Sequence, residues 1–347
     1  MNKKLAKISI ALAAGGVLTA GLAAGAATAA SAATAPTWHT VLSVPNSAAG
    51  TQFDTVIATG RTSGWAFLSD GTAYERTGAT TWKTAAFPGT GGAVRVAAAS
   101  SPSDVWASYS TASATQLYHW NGRTWTLVSS FPGSSVGAIS ALSPSDVWVF
   151  GGGTAGVFHF NGRTWKEVSA TLSGGSALSD NNVWSASGTD VEHYNGRTWT
   201  ATSVASLLPA QLAGHPASAV TSIIALAPNN VYATGEGNQT PHGGPGVVLH
   251  YNGRTWTLAE SGGFVEGGAL ASDGAGGLWI EGRNFPTYLP ELFHYSVGQV
   301  TAVVPGNGYF APAVSASVSQ IPGTSEALGA GYQTGTGDGN SVVLQYS

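Results

Sequence analysis

One phrase occurs four times in this chain. His119-Trp120-Asn121-Gly122-Arg123-Thr124-Trp125 returns as His159-Phe160-Asn161-Gly162-Arg163-Thr164-Trp165, as His193-Tyr194-Asn195-Gly196-Arg197-Thr198-Trp199, and as His250-Tyr251-Asn252-Gly253-Arg254-Thr255-Trp256. A second phrase precedes each copy: Ser101-Pro102-Ser103-Asp104-Val105-Trp106, Ser143-Pro144-Ser145-Asp146-Val147-Trp148, and the weaker Asp180-Asn181-Asn182-Val183-Trp184 and Pro228-Asn229-Asn230-Val231-Tyr232. Repetition at this period means an array of similar β-units, each burying its apolar face against the next.

The aromatic of the second phrase counts the units: Trp65, Trp106, Trp148, Trp184, Tyr232, Trp279 and, degenerately, Leu328. The steps are 41, 42, 36, 48, 47 and 49 residues. That is the size of a four-stranded propeller blade. In the third unit, strand a is expected over 136–142, b over 146–150, c over 156–160 and d over 164–169. Asn161-Gly162 signals the c–d hairpin, because both residue types tolerate positive φ. Residues 143–146 form the a–b turn, with Pro144 at its second position.

The chain stops after a c-like strand, Val342-Val343-Leu344-Gln345-Tyr346. It opens, past its leader, with a d-like one, Thr37-Trp38-His39-Thr40-Val41. The expected fold is therefore all-β: a seven-bladed β-propeller of four-stranded antiparallel blades, closed by the N-terminal strand completing the last blade. A linear solenoid would leave that missing strand and that spare one unexplained.

Residues 1–32 are expected to be a signal peptide. Lys3, Lys4 and Lys7 precede an Ala/Leu-rich stretch that ends at Ala30-Ser31-Ala32. A transmembrane anchor is the competing interpretation; the Ala/Gly content and the small-residue cleavage signal favour the leader. The remaining 33–347 would be one propeller domain, secreted to the extracellular space. It carries 10 basic and 17 acidic side chains, a net charge near −7. That disfavours nucleic acid and anionic membranes as partners. The chain has no Cys, which removes disulfides, thiolate chemistry and Cys-ligated cofactors. A monomer without cofactor or metal is expected; no D-x-D-x-D spacing supports calcium.

The repeat tryptophans are expected to be inter-blade core. His119, His159, His193, His250 and His294 hold one strand-c position, which Glu75 and Gln345 fill elsewhere. One His per blade separates neighbours too far to share an ion, so a structural hydrogen bond is expected of each. Arg123, Arg163, Arg197 and Arg254 would lie on one rim, where the first two could pair with Asp104 and Asp146.

Where the repeats diverge, a site is expected. The long b–c connections are 235–246 (Glu236, Asn238, His242), 282–290 (Arg283, Asn284, Phe285, Tyr288) and 331–341 (Tyr332, Asp338). The long d–a connections are 204–219 (His215) and 305–310 (Asn307, Tyr309, Phe310). All would cluster on one face of blades four to seven. Aromatic rings mixed with amides and a few charges suit sugar recognition. Two residues past the strand-b aromatic stand Phe67, Ser108, Phe150, Ala186, Thr234, Glu281 and Ala330. Glu281 is the lone carboxylate of that set and needs a partner if buried; Arg283 or Glu236 could supply one. Eleven residues before the marker, Asp54 and Arg95 fall on adjacent channel-lining strands and can pair. Glu266 lies two residues from Gly268 on the same side of its strand.

The two phrases resemble secreted seven-bladed propellers of actinobacteria, loosely of the kelch or Asp-box kind, over residues 37–347. Asn-Gly-Arg-Thr-Trp departs from the Asp-box pattern in spacing and lacks its Asp. Galactose-oxidase-type chemistry would need a Cys. Sialidase-type chemistry needs three converging Arg, and only Arg61, Arg76, Arg95 and Arg283 lie outside the repeat turns. The expected function is a binding module for extracellular or cell-wall carbohydrate, contacting it through Arg283, Asn284, Phe285, Tyr288, Tyr309, Tyr332, Asp54, Arg95 and Glu266. The alternatives are a carbohydrate-active hydrolase or lyase, with Glu281 and Glu236 as acid/base carboxylates and His242 or Tyr288 assisting, and a protein-interaction platform.

Overall fold

Strand-forming residues separated by Gly, Pro, Ser and Asn turns give an almost purely β molecule. A computed structural model describes residues 36–45, 51–132, 135–151, 156–170, 172, 174–210, 218–237, 244–265, 267–284, 287, 290–303, 309–312, 318–334 and 339–347. The expected signal peptide lies outside them. No helix among the described residues is long and apolar enough to cross a membrane.

After β1 (Trp38–Pro45), strands come in groups of four. The first sheet is β2 (Phe53–Ala58), β3 (Gly64–Leu68), β4 (Ala73–Arg76) and β5 (Trp82–Ala85). The second is β6 (Gly92–Ser101), β7 (Asp104–Thr111), β8 (Ala114–Trp120) and β9 (Trp125–Pro132). The third is β10 (Ala138–Ser143), β11 (Asp146–Phe150), β12 (Val157–Phe160) and β13 (Trp165–Ser169). These bounds fall within two residues of those expected. The fourth is β14 (Gly175–Ser179), β15 (Asn182–Ser187), β16 (Asp190–Tyr194) and β17 (Trp199–Ser203).

Next come β18 (Ala219–Ala227), β19 (Asn230–Glu236), β20 (Pro245–Tyr251) and β21 (Trp256–Val265). They are followed by β22 (Leu270–Ser272), β23 (Leu278–Arg283), β24 (Pro290–Ser296) and β25 (Gln299–Val303). A single bridge, Val265 to Arg283, joins these two groups into one sheet. The last sheet holds β26 (Tyr309–Pro312), β27 (Val318–Gln320), β28 (Ala327–Thr334) and β29 (Asn340–Tyr346), with β1 antiparallel to β29 from Trp38↔Tyr346 to Pro45↔Asn340. All pairings among the described residues are antiparallel, and residues 36–347 form one compact body.

The first strands of successive sheets lie side by side: β2 against β6, β6 against β10, β10 against β14, β14 against β18, β18 against β22, β22 against β27, and β27 against β2. Hydroxyls stitch several of these contacts. Ser319 Oγ accepts the Ala58 N–H (3.1 Å), Ser140 Oγ that of Ala177 (3.0 Å) and Ser176 Oγ that of Ala225 (3.1 Å). These strands line a space of about 930 Å³.

Between sheets, the second-strand aromatic packs on the outer strands of the next sheet, as expected of the repeat tryptophans. Trp65 meets Trp125 at 5.1 Å between ring centroids, Trp184 meets Trp256 at 5.9 Å and Trp279 meets Trp38 at 5.3 Å. Large aromatic areas removed from water at every seam account for a chain that needs no disulfide.

The expected hairpin geometry needs one correction. Phe160↔Trp165 is the last pair of β12 and β13, so the connection has four residues, 161–164, one more than the expected bounds leave. Only Gly162 takes a positive φ, +86°. The Asn161 side chain stays outside that region and accepts the backbone N–H of Arg163 (3.1 Å) and Thr164 (3.0 Å). Asn serves here as a turn cap and Gly supplies the left-handed residue.

The rim arginines also depart from expectation, because the turn carboxylates point at histidines. Asp104 Oδ1 accepts from His119 Nε2 (2.7 Å) and Trp106 Nε1 (3.0 Å), and Asp146 Oδ1 lies 2.9 Å from His159 Nε2. Asn182, Asn230 and Asp273 do the same for His193 (3.2 Å), His250 (2.9 Å) and His294 (3.0 Å). Each imidazole stacks on its own sheet's aromatic, with Trp148 and His159 4.2 Å apart. A buried ring with two nitrogens needs a polar partner, which the turn provides.

Candidate functional site

The diverging residues meet on one side of the first strands. A cavity of about 710 Å³ is lined there by Arg95, Ser110, Ser135, Gly137, Thr221, Ser222, Glu236, Gly267, Gly268, Glu281, Arg283 and Pro290, among others. Arg95, Gly137, Thr221 and Gly268 occupy the position eleven residues before the strand-b marker, so the inferred register does face this space.

Glu281 sits in mid-β23 opposite Leu292 and is buried. Strand alternation turns it to the same side as Trp279, and its position in the strand carries it up to the cavity. A Cβ placed on Gly268 would lie 3.5 Å from Glu281 Oε2, so the carboxylate rests directly beside that glycine backbone. Gly268 N–H in turn donates to the Glu281 carbonyl at 2.7 Å. Only small residues at 267–269 leave room for the acid.

Glu236 and Arg283 were expected in loops but end strands: Glu236 closes β19 opposite Gly246, and Arg283 closes β23 opposite Pro290. The ladders run further than the sequence indicated, because backbone pairing continues through Gly235 and Gly282, which carry no alternation signal. Both side chains therefore stand on strand ends, where a scaffold fixes them more firmly than a loop.

Asp54 and Arg95 do pair: Arg95 Nη1 donates to Asp54 Oδ2 at 2.6 Å, and Gln52 Nε2 adds a weaker contact at 3.4 Å. Asp54 is nearly sealed from solvent and Arg95 about half exposed. Burial pushes the Asp54 carboxyl up, and the guanidinium and the Gln52 amide only partly offset this. Arg95 thus links a buried carboxylate to the cavity.

The remaining expected contacts stand as follows. Asn284 donates to Glu291 Oε2 and so is used within its own hairpin. Tyr309 and Tyr332 lie in strands rather than loops, opposite Thr334 in β28 and Ala311 in β26 respectively; the β-forming run Tyr309-Phe310-Ala311 adds to the edge of a long β28. His242, Glu266, Phe285 and Tyr288 fall outside the described residues, as do Asn238, His215, Asn307 and Asp338.

One group of donors was not expected. Asp146, His159 and Asp180 bring one ligand atom each within 4.8 Å of one another, and His159 Nε2 lies 3.2 Å from Asp180 Oδ1. Asp180 occupies the place of Pro102, Pro144 and Pro228 in the turn phrase, a difference visible in the sequence. Burial and the neighbouring Asp146 charge raise the Asp180 carboxyl. Among the described residues these could hold a divalent ion, on an exposed edge away from the cavity.

No protein-family model matches the chain, and no curated protein matches its sequence. Solved structures do match its fold. "YCF48 bound to D1 peptide" is 13% identical over 89% of this chain and 96% of that one, with a TM-score of 0.56. The WD40 β-propeller domain of Doa1 is 9% identical over 88% and 96%, TM-score 0.58. Catalytically inactive virginiamycin B lyase from Staphylococcus aureus, with quinupristin, is 10% identical over 89% and 99%, TM-score 0.59. The chain thus has a β-propeller-type repeat fold. Identities this low carry the fold and no particular activity.

Proposed function

We propose that the protein is a secreted binding module whose ligand is an extracellular or cell-wall carbohydrate, taken at the 710 Å³ cavity. Its frame is a closed ring of seven four-stranded blades, the last completed by the N-terminal strand; the β1–β29 ladder and the contact of β27 with β2 support that closure. The observation that carries the ligand class is the cavity lining. Two carboxylates, two guanidiniums and several hydroxyls surround a floor of glycines. Such a recess, with charged and hydroxyl groups set among small and apolar residues, suits a ligand that offers several donors and acceptors beside apolar faces. Its volume lies within the range of small-ligand sites.

Glu281 and Glu236 on one cavity also favour a second reading, a hydrolase using them as acid and base. The peptide of the YCF48 complex and the quinupristin of the lyase complex give a third ligand chemistry to compare.

Retention of the protein on insoluble polysaccharides and cell walls, with released sugar assayed in the same tubes, separates these. Retention without release, weakened about tenfold or more by Arg283→Ala or Glu281→Gln, is the expected result. Release abolished by Glu281→Gln would replace binding with hydrolysis. Neither retention nor release would overturn both and leave a protein-interaction platform.

A further inference from the structure

A second recess lies on the outer flank, between β17 and β20–β21. It measures about 440 Å³ and is lined by Trp184, His193, Thr200, Thr202, Ser203, Ser206, Leu207, Tyr251, Arg254, Thr255 and Trp256. Its origin is a departure from the repeat. In two other seams a phenylalanine five or six residues past the outer-strand tryptophan fills this place: Phe87 packs on Trp125 at 5.2 Å, and Phe131 on Trp165 at 6.3 Å. After Trp199 the equivalent residue is Val204, buried in the core with Leu208. The smaller side chain leaves open a groove over Trp256.

Trp82, Trp125, Trp165 and Trp199 bury their ring N–H without a partner, whereas Trp256 is only partly buried and lines the groove. Around it stand Tyr251, partly exposed, and the exposed hydroxyls of Thr200, Thr202, Ser203, Ser206 and Thr255. Thr200 lies directly across the ladder from His193, whose burial lowers its pKa and keeps it neutral. Among the described residues, Arg254 is the only charged one on the lining, and no carboxylate lines the groove with it.

We infer that this groove binds an acidic sugar: a pyranose seated against the Tyr251 and Trp256 rings, its hydroxyls meeting the threonines and serines, its carboxylate meeting Arg254. Aromatic rings supply the surface that matches the apolar face of a sugar. A guanidinium opposite a carboxylate supplies a charge-assisted pair. The missing carboxylates remove what would repel an anion. The site is separate from the cavity at Glu281 and would bind whether or not that cavity takes a sugar.

Calorimetric titration of the protein with tetragalacturonate, with cellotetraose as neutral counterpart, tests this. The expected result is saturable binding of tetragalacturonate, about tenfold or more tighter than cellotetraose. Arg254→Ala, an exposed position, should weaken it about tenfold. Val204→Phe, which supplies the phenylalanine found in two other seams, should abolish it, and Glu281→Gln should leave it unchanged. No saturable binding, equal affinity for the neutral sugar, or binding that survives both Arg254→Ala and a folded Val204→Phe would overturn the inference. Should Val204→Phe fail to fold, Arg254→Ala decides. Loss on Glu281→Gln alone would assign the ligand to the cavity instead.

Discussion

Arg76 Nη2 donates to Gln345 Oε1 at 2.7 Å, across 269 residues of sequence. Arg76 is almost wholly buried, and its Nη2 also reaches the Ala79 carbonyl at 2.6 Å, while Gln345 Nε2 donates to Glu326 Oε2 at 2.8 Å. This chain of polar contacts joins β4 to β29 and to the residue just before β28, the first full sheet to the last. Burial lowers the Arg76 pKa and the Glu326 charge partly restores it. Arg76→Met should cost about 2–4 kcal/mol, since it leaves Gln345 Oε1 and the Ala79 carbonyl short of a donor in a buried setting and Glu326 without its nearby cation. Urea unfolding followed by tryptophan fluorescence measures it; a loss below about 0.5 kcal/mol would remove this contact from the account of the seam.

The turn Asp needs to accept hydrogen bonds, and its charge is dispensable, because Asn182 and Asn230 perform the same task. Asp104→Asn should therefore cost less than about 1 kcal/mol. Asp104→Ala should cost about 2–4 kcal/mol, orphaning the His119 and Trp106 N–H groups together. Equal losses for the two variants would show that charge carries the contact.

Acid should act in two stages. Burial lowers His193 and His250 below their ordinary value of 6.5, with Asn rather than Asp as partner. The unfolded state then binds more protons, so stability present above pH 6.5 is lost as pH falls through the folded pKa values. Burial would raise Asp104, but hydrogen bonds from His119 and Ser100, the His119 charge and Trp106 together hold it below 3.8. Its contribution is present above pH 3.8 and lost on further acidification. Asn182→Asp with Asn230→Asp should shrink the first stage, measured as melting temperature between pH 7 and 5.

Arg95→Met should leave the Asp54 carboxyl buried without its cation. With Arg95 half exposed, the expected loss is about 1–2 kcal/mol at pH 7. A carboxyl raised above its unfolded value favours the protonated folded form, so this penalty should diminish as pH falls toward the folded pKa. A variant whose deficit stays constant from pH 7 to 4 would show that Asp54 is not the group left exposed to the loss.

Removing one hydroxyl stitch tests the inner contacts. Ser176→Ala strips the Ala225 N–H of its acceptor, and about 1 kcal/mol of stability should go with it.

Much of the chain could be read from its repeats. Asn-Gly turns and the Ser-Pro-Ser-Asp phrase bounded strands to within two residues, because turn chemistry is local. The Asp54–Arg95 pair was legible because a fixed register places equivalent residues side by side. Glu236 and Arg283 were placed in loops because ladder length depends on partner strands rather than on local alternation. The burial of Arg76 could not be read locally, because beside the nearby Ala79 carbonyl its side-chain acceptor is Gln345, 269 residues away.

The sequence alone determined the all-β character, the four-strand period and which residues break the pattern, since these depend on side-chain alternation and turn preference within a few residues. Tertiary structure decided what the exceptions do. Whether Glu281 joins Glu236, Arg95 and Arg283 around one space, whether Asp180 meets His159, and whether Val204 uncovers Trp256 all depend on contacts between sheets. Those distances arise from packing across seams, where a difference of one side-chain volume opens or fills a site.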